Sequence, residues 1–343
     1  PALKPLSITP QLTRAAGLAL LVPLAVFLGS RALGARGLLL LAQLLLVIAV
    51  LEAILGLVQY GTAQSGDMIL AVSGRSGNSA VGTYANRNHL AGLLAMTLPV
   101  TLALLYDSLG RERSASGSGH WRRRAAFLGS ARGNAALLYA AAALILLVGV
   151  VFTRSRMGIS MVILGVLLTT LLFARRIGGS NTFGVTGSVI AIALGFGIAI
   201  GLAPVLEGFS VAGLTEDGRV ELFSAALLRI GQLFPVGTGP GTFPSAFPPV
   251  QPVGFGALFP NHAHNDYLEW IMDAGIVAVV LIVLALILYL RQWTRVYSRN
   301  EWTRSRFLQA GAGIGLLLIA LHELVDYNLA IPANQAYLAL LAG

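Results

Sequence analysis

Residues 37–60 read GLLLLAQLLLVIAVLEAILGLVQY, an almost unbroken apolar run. An α-helix that crosses the hydrocarbon core of a membrane needs roughly 20 such residues, because each residue advances the helix by about 1.5 Å. The run meets that length. It therefore predicts a transmembrane helix, and the rest of the chain repeats the pattern.

The composition excludes an ordinary soluble protein. Hydrophobic residues make up 56% of the 343 residues and charged residues 11%, against about 25% charged residues in a typical soluble domain. The chain contains no cysteine, which excludes a disulfide framework, a thiolate metal site and a cysteine nucleophile. The net charge of +9 would suggest nucleic acid in a soluble protein, but in a membrane protein it indicates cytoplasmic loops. We therefore predict membrane lipids as partners and no nucleic acid.

The expected fold is an all-α polytopic membrane protein with about eight full transmembrane helices and a truncated ninth. The chain begins at Pro1 and its ninth apolar run, from about Gln335, stops at Gly343. We therefore expect residues 1–343 to be one transmembrane domain that belongs to a longer chain. The predicted spans are about 14–33, 37–60, 89–109, 135–153, 157–174, 183–205, 268–290 and 307–326.

The distribution of basic residues predicts the orientation, because cytoplasmic loops are enriched in Lys and Arg. With the basic loop 110–134 in the cytoplasm, 15 of the 23 basic residues lie inside and 8 outside. The loop 206–267 then lies outside. Lys4 and Arg14 before an apolar run also allow a signal peptide, which is the weaker interpretation. The 15 inside residues are Arg31, Arg36, Arg111, Arg113, Arg122, Arg123, Arg124, Arg132, Arg175, Arg176, Arg291, Arg295, Arg299, Arg304 and Arg306.

The loops on the outside face carry the clusters of polar residues that could bind a substrate or act in catalysis. Arg154 and Arg156 lie in a short turn between two spans, where guanidinium groups either reach lipid phosphates or bind an anion bidentately. Residues 220–234 have apolar side chains at helical spacing and predict an amphipathic helix on the membrane surface. The glycines of Gly237-Thr238-Gly239-Pro240-Gly241 indicate either a tight turn or backbone N–H groups that approach an anion.

The segment Asn261-His262-Ala263-His264-Asn265-Asp266-Tyr267-Leu268-Glu269-Trp270 is the strongest local signal. A His-x-His pair with acids could hold a metal ion, but no second cluster of matching ligands follows. A neutral histidine acting as general base fits better. Further along, His322 and Asp326 are four residues apart, which predicts one helix face at the outer surface.

Five segments together resemble the O-antigen ligase superfamily, which also includes O-antigen and exopolysaccharide polymerases and pilin oligosaccharyltransferases. The resemblance extends over about 82–334, most of the chain. The segments are Gly82 to Gly92, Thr153-Arg154-Ser155-Arg156, Gly237 to Phe243, His262 to Glu269, and His322 to Asn334.

The resemblance implies an enzyme, a GT-C-like glycosyltransferase with a long periplasmic loop over its cavity. Such enzymes transfer a glycan from undecaprenyl pyrophosphate to an acceptor hydroxyl by an inverting, metal-independent displacement, without a cofactor. By motif, Arg156 and Arg219 are expected to hold the pyrophosphate and His264 to act as the base, although Arg154 could replace Arg156. The substrate-binding positions predicted alongside are Arg154, Arg87, Asn88, His89, Gly239, Gly241, His262, Asn265, Asp266, His322 and Asp326.

Two other classes of protein compete with this interpretation. A transporter or channel for an anionic lipid or sugar could use the same arginines, but inverted repeats and broken midplane helices are not evident in the sequence. A structural subunit would leave the loop motifs unexplained. Within the enzyme interpretation the acceptor stays open: lipid A core, another lipid-linked glycan or a protein.

Overall fold

A computed structural model describes residues 7–65, 79–110, 129–177, 218–256, 259–298 and 302–343, with a few isolated residues between 183 and 195. Its helices are α1 Pro10–Ala19, α2 Leu21–Ala32, α3 Ala35–Ser65, α4 Arg87–Leu109, α5 Ala131–Thr153, α6 Arg156–Ile177, α7 Arg219–Leu233, α8 Phe243–Ala246, α9 Asp266–Ala274, α10 Ile276–Tyr297, α11 Arg304–His322 and α12 Pro332–Ala342. Single 3₁₀ turns occur at Pro248–Val250, Val253–Phe255 and Asn328–Ala330.

Seven helical stretches in the described part of the chain are long and apolar enough to cross a membrane. Helices suit this environment because lipid offers no hydrogen-bond partners, so the backbone must satisfy its own polar groups. The predicted all-α, multi-pass membrane fold is confirmed. The stretches are Pro10–Ala32, Ala35–Thr62, Arg87–Leu109, Ala131–Thr153, Arg156–Ala174, Ile276–Tyr297 and Arg304–His322.

The predicted spans agree with these helices in seven of eight cases, with one correction. The eighth, about 183–205, lies largely outside the described residues, as do most of the loop 110–134 and residues 206–217 of the outer loop. The predicted span 268–290 is wrong at its start, because α9 ends at Ala274 and α10 begins at Ile276. Gly275 between them has φ of +56°, and a Cβ added at this position would collide with the carbonyl of Pro235.

The chain divides into two compact units. The first unit comprises the described residues within Pro1–Ala32, Ser210–Arg295 and Ala320–Gly343, and the second those within Leu33–Phe209 and Val296–Ile319.

In the second unit, α4 is the central helix, packed against α3, α5 and α6, and its apolar window is entirely buried. Small residues let these helices approach closely, as is common in membrane bundles. A Cβ on Gly149 of α5 would lie 2.9 Å from the Cβ of Ala53 on α3, and one on Gly311 of α11 would lie 2.7 Å from the carbonyl oxygen of Pro99 on α4.

In the first unit, the predicted amphipathic helix is present as α7. Its buried residues Leu222, Ala225 and Ala226 join a core with α8, α9 and the segment before α9. The other core members are Phe243, Ala246, Phe247, Ala263 and Met272. This core holds the N-terminus of α7 and the segment before α9 in fixed positions.

Candidate active site

The beginning of α9 is tied to the turn that follows α11. Asn265 caps α9, since its Oδ1 accepts a hydrogen bond from the Leu268 N–H at 3.0 Å, and its Nδ2 donates to the Leu324 carbonyl at 2.8 Å. The N–H of Asp266 donates to the carbonyls of Glu323 and Asp326 at 3.1 and 3.2 Å. The two segments therefore form one rigid corner of the first unit.

Arg219 reaches this corner from the first residue of α7. Its Nη1 donates to the Val325 carbonyl at 2.7 Å, and its Nη2 lies 3.9 Å from Oδ2 of Asp326. The Asp326 side chain is 1% exposed and that of Arg219 is 26% exposed. A buried carboxylate thus orients a guanidinium group that still reaches solvent.

His264 lies on the other side of the same carboxyl group. Its Nδ1 is 3.9 Å from Oδ1 of Asp326, and its side chain is 34% exposed. The ring also contacts Tyr327 edge-on, with centroids 4.7 Å apart. His264 has φ of +52°, a conformation uncommon outside glycine that accumulates at functional sites.

His262 is held differently, by a short hydrogen bond. Its Nδ1 lies 2.9 Å from Oε1 of Glu269, whose Oε2 accepts the Ala263 N–H at 2.9 Å. Its ring stacks on Tyr327 at 4.3 Å and 15°. Burial lowers the pKa of His262, but the hydrogen bond and charge of Glu269, with the more distant charges of Asp266 and Asp273, raise the pKa above its ordinary value overall.

The glycine-rich segment is bound to α9. The N–H groups of Thr238 and Gly239 donate to the Asp273 carbonyl at 3.0 and 2.7 Å, and that of Gly241 donates to the Asp273 carboxyl at 2.6 Å. Gly237 and Gly239 have φ of +80° and +107°. These contacts favour the tight turn over an anion cradle, and substrate binding by Gly239 and Gly241 stays a prediction.

The remaining predicted residues lie in the second unit. Arg154 caps α5 with φ of +55°, and its Nη2 donates to the Tyr60 hydroxyl at 3.2 Å. Arg156 is the first residue of α6, half-buried. Arg87, Asn88 and His89 begin α4 behind the cap Asn86, whose side chain accepts the Asn88 N–H at 2.9 Å.

The structure thus brings six predicted residues together in the first unit: Arg219, His262, His264, Asn265, Asp266 and Asp326. Arg156, Arg154, Arg87, Asn88 and His89 belong to the second unit, so the expected approach of Arg156 to Arg219 stays a prediction. The assigned roles are likewise predictions.

One detail of the sequence interpretation is corrected. The predicted shared helix face of His322 and Asp326 is wrong, because α11 ends at His322 and Asp326 lies in the following turn. His322 is fully buried. The carboxyl group of Asp326 lies beside the His264 ring, while the side chains of Asn265 and Asp266 bind the turn.

Several residues that contact the predicted ones within either unit were not themselves predicted. Glu269, Glu323 and Tyr327 lie inside quoted motifs, but sequence adjacency did not reveal their contacts. In the second unit, Glu52 accepts hydrogen bonds from Thr83, from its N–H at 2.8 Å and its hydroxyl at 2.7 Å. A single acid within a predicted transmembrane span indicates a functional position. This rule would have singled out Glu52 from the sequence.

The described residues contain no group of three or more His, Asp or Glu side chains arranged to hold a metal ion. The geometry instead offers an oriented arginine and a half-exposed histidine on one buried carboxyl group. Such an arrangement can bind an anion and move a proton.

Residues 141–283 match the protein family described as O-antigen ligase. No curated protein and no solved structure matches the chain significantly. The matched range contains α7, α9 and His264, and the match supports membership of that family.

Proposed function

We propose, with membership of the O-antigen ligase family as the premise, that this multi-pass membrane protein transfers a glycan from undecaprenyl pyrophosphate to an acceptor hydroxyl. The proposed location is the bacterial inner membrane, with the site of the first unit facing the periplasm. The observation that carries the proposal is the position of Arg219 and His264 on the two oxygens of Asp326, each 3.9 Å away.

The arginines are proposed to stabilise the leaving group. As the bond between the anomeric carbon and pyrophosphate breaks, negative charge grows on the phosphate oxygens. A guanidinium group already held in place stabilises that charge without reorganising, and the Val325 carbonyl and Asp326 hold Arg219 in this way. Arg156 is proposed as the second ligand, with Arg154 as its alternative.

His264 is proposed as the general base. With its proton on Nδ1, towards Asp326, the ring keeps a lone pair on Nε2. The acceptor oxygen bonds to the anomeric carbon on the face opposite pyrophosphate, its proton passes to Nε2, and undecaprenyl pyrophosphate leaves with the bonding electron pair. The anomeric configuration is therefore inverted, and we propose that no metal ion is needed.

The test is to incubate the purified protein with a lipid-linked oligosaccharide and, separately, lipid A core, a second lipid-linked glycan and a pilin-type protein. We expect one acceptor to become glycosylated, with inverted configuration and in the presence of EDTA. Substrate movement into sealed vesicles without transfer would overturn the proposal and favour the transporter.

A further inference from the structure

Asp266 and Glu323 are two acids buried side by side beneath the proposed active site. Their residues are 1% and 0% exposed, and their side chains lie within hydrogen-bond range of each other. Burying two carboxylates together is costly because each loses water and they repel. The burial of these two acids next to each other therefore needs a physical explanation.

Both carboxyl groups hold the turn that carries Asp326 and Tyr327. Oδ2 of Asp266 accepts the Leu329 N–H at 2.9 Å, and Oε2 of Glu323 accepts the Asn328 N–H at 2.7 Å. Asp326 and Tyr327 are the two residues of this turn that contact His264. The acid pair therefore acts on the proposed base His264 indirectly, through the turn that contacts it.

The surroundings of Glu323 favour a proton on the pair. Ionised carboxylates only accept hydrogen bonds, and Oε1 of Glu323 is buried with no donor facing it among the described residues. One proton on the Asp266 carboxyl group supplies that donor and removes one of the two buried charges.

We propose that Asp266 and Glu323 are positioning residues that share one proton, and that this proton holds the 323–329 turn where Asp326 and Tyr327 orient His264. The proposal rests on the proposed function, because it explains how the base is held. Loss of the proton leaves two repelling carboxylates, which separate and displace the turn.

The surroundings favour this protonation. Burial raises the pKa of Asp266 well above its ordinary value, the Glu323 and Glu269 charges raise it further, and burial also raises the pKa of Glu323. Asp326 in the turn, Glu269 on α9 and Arg219 on α7 are the charged neighbours described, and His262, His264 and His322 can titrate nearby. Helix α12 brings no charged side chain.

The test compares Asp266→Asn, Asp266→Ala and the matched control Glu221→Gln, an exposed acid on α7. Glycan transfer and thermal unfolding are measured in detergent from roughly pH 6 to roughly pH 9, beyond the ordinary carboxyl range. We expect wild-type transfer to fall at higher pH as the acid pair loses its proton.

Asn supplies a permanent donor to Glu323 and an acceptor to Leu329, so Asp266→Asn should transfer far better than Asp266→Ala and lose the alkaline decline. Asp266→Ala should lose about 10²-fold in transfer, as expected for a base displaced by roughly 1 Å. Glu221→Gln should match the wild type throughout. An unchanged alkaline decline in Asp266→Asn, or a loss equal to that of Asp266→Ala in folded protein, would overturn the proposal.

Failure of the proposed function is distinguishable on the same samples. A folded pKa above the unfolded one makes the protein bind protons on folding, so stability falls as pH rises through the folded pKa. The unfolding temperature of Asp266→Asn should therefore depend less on pH than that of the wild type. If no transfer is seen but the unfolding temperatures of the two proteins depend differently on pH, only the proposed enzymatic function is rejected. If their unfolding temperatures depend on pH in the same way, the shared proton is rejected.

Discussion

Nδ1 of His264 lies 3.9 Å from Oδ1 of Asp326, a carboxyl group that is almost entirely buried. The distance exceeds that of a hydrogen bond, so the carboxylate acts through its charge and through the turn that carries it. A histidine with positive φ beside a fixed charge is oriented before any substrate arrives.

His264 is predicted to be the base, and His262 to matter less. His264→Ala should lower glycan transfer by about 10²–10⁴-fold while folding and donor binding persist. His262→Ala removes a ring already paired with Glu269 and should cost much less. Transfer rates and donor binding of both variants check this. Near-normal turnover of His264→Ala that depends wholly on an added divalent metal would favour a metal site.

Arg219→Lys and Arg156→Lys should each impair transfer, because an ammonium group lacks the bidentate fork of guanidinium. In Arg219→Lys, the contacts with the Val325 carbonyl and Asp326 are lost as well. Arg36→Lys, at an exposed position outside both groups of site residues, is the control and should transfer normally. Wild-type kinetics in Arg219→Lys would contradict the proposal that Arg219 holds the pyrophosphate.

The orientation predicts labelling from one side only. The chain has no cysteine, so single cysteines report cleanly. An impermeant thiol reagent added outside intact cells should modify Ser245→Cys, at an exposed position of α8, and spare Ser116→Cys in the basic loop. Outside labelling of Ser116→Cys would reverse the orientation.

Asp273 should make stability depend on pH. Burial first, and then the charge of Glu269, raise the pKa of Asp273 to about 7. The contribution of this group to the free energy of unfolding is therefore full below the unfolded pKa of about 3.9. It is lost as pH rises through the folded pKa. Asp273→Asn should flatten the decline in unfolding temperature near neutral pH.

Asp273→Ala tests the same contacts by removal. It leaves the Gly241 N–H and the Thr242 hydroxyl without this acceptor and should cost about 1–3 kcal/mol, measured by denaturant unfolding. A fully stable Asp273→Ala would mean that the glycine segment holds its turn without α9.

A membrane helix is determined locally, by the length of its apolar run and by the need of its backbone for hydrogen bonds. The sequence therefore predicted seven of the described spans and the helix α7 directly. Lipid leaves the backbone no other partner, so residues such as 37–60 required no tertiary information. The break at Gly275 escaped prediction because it depends on the Pro235 carbonyl, a residue 40 positions away.

The residue types of the site were also visible in the sequence, since histidines and acids are rare in so apolar a chain and several of its arginines lie in the motifs. Their pairing was not. Whether Asp326 lies beside His264, whether Glu269 holds His262, and whether Asp266 meets Glu323 depend on the packing of α9 against the turn after α11. The sequence alone determined a multi-pass helical membrane protein with polar motifs between its spans, because burial in lipid acts residue by residue. Tertiary structure decided which charges face each other, because electrostatic energy depends on distances that only folding sets.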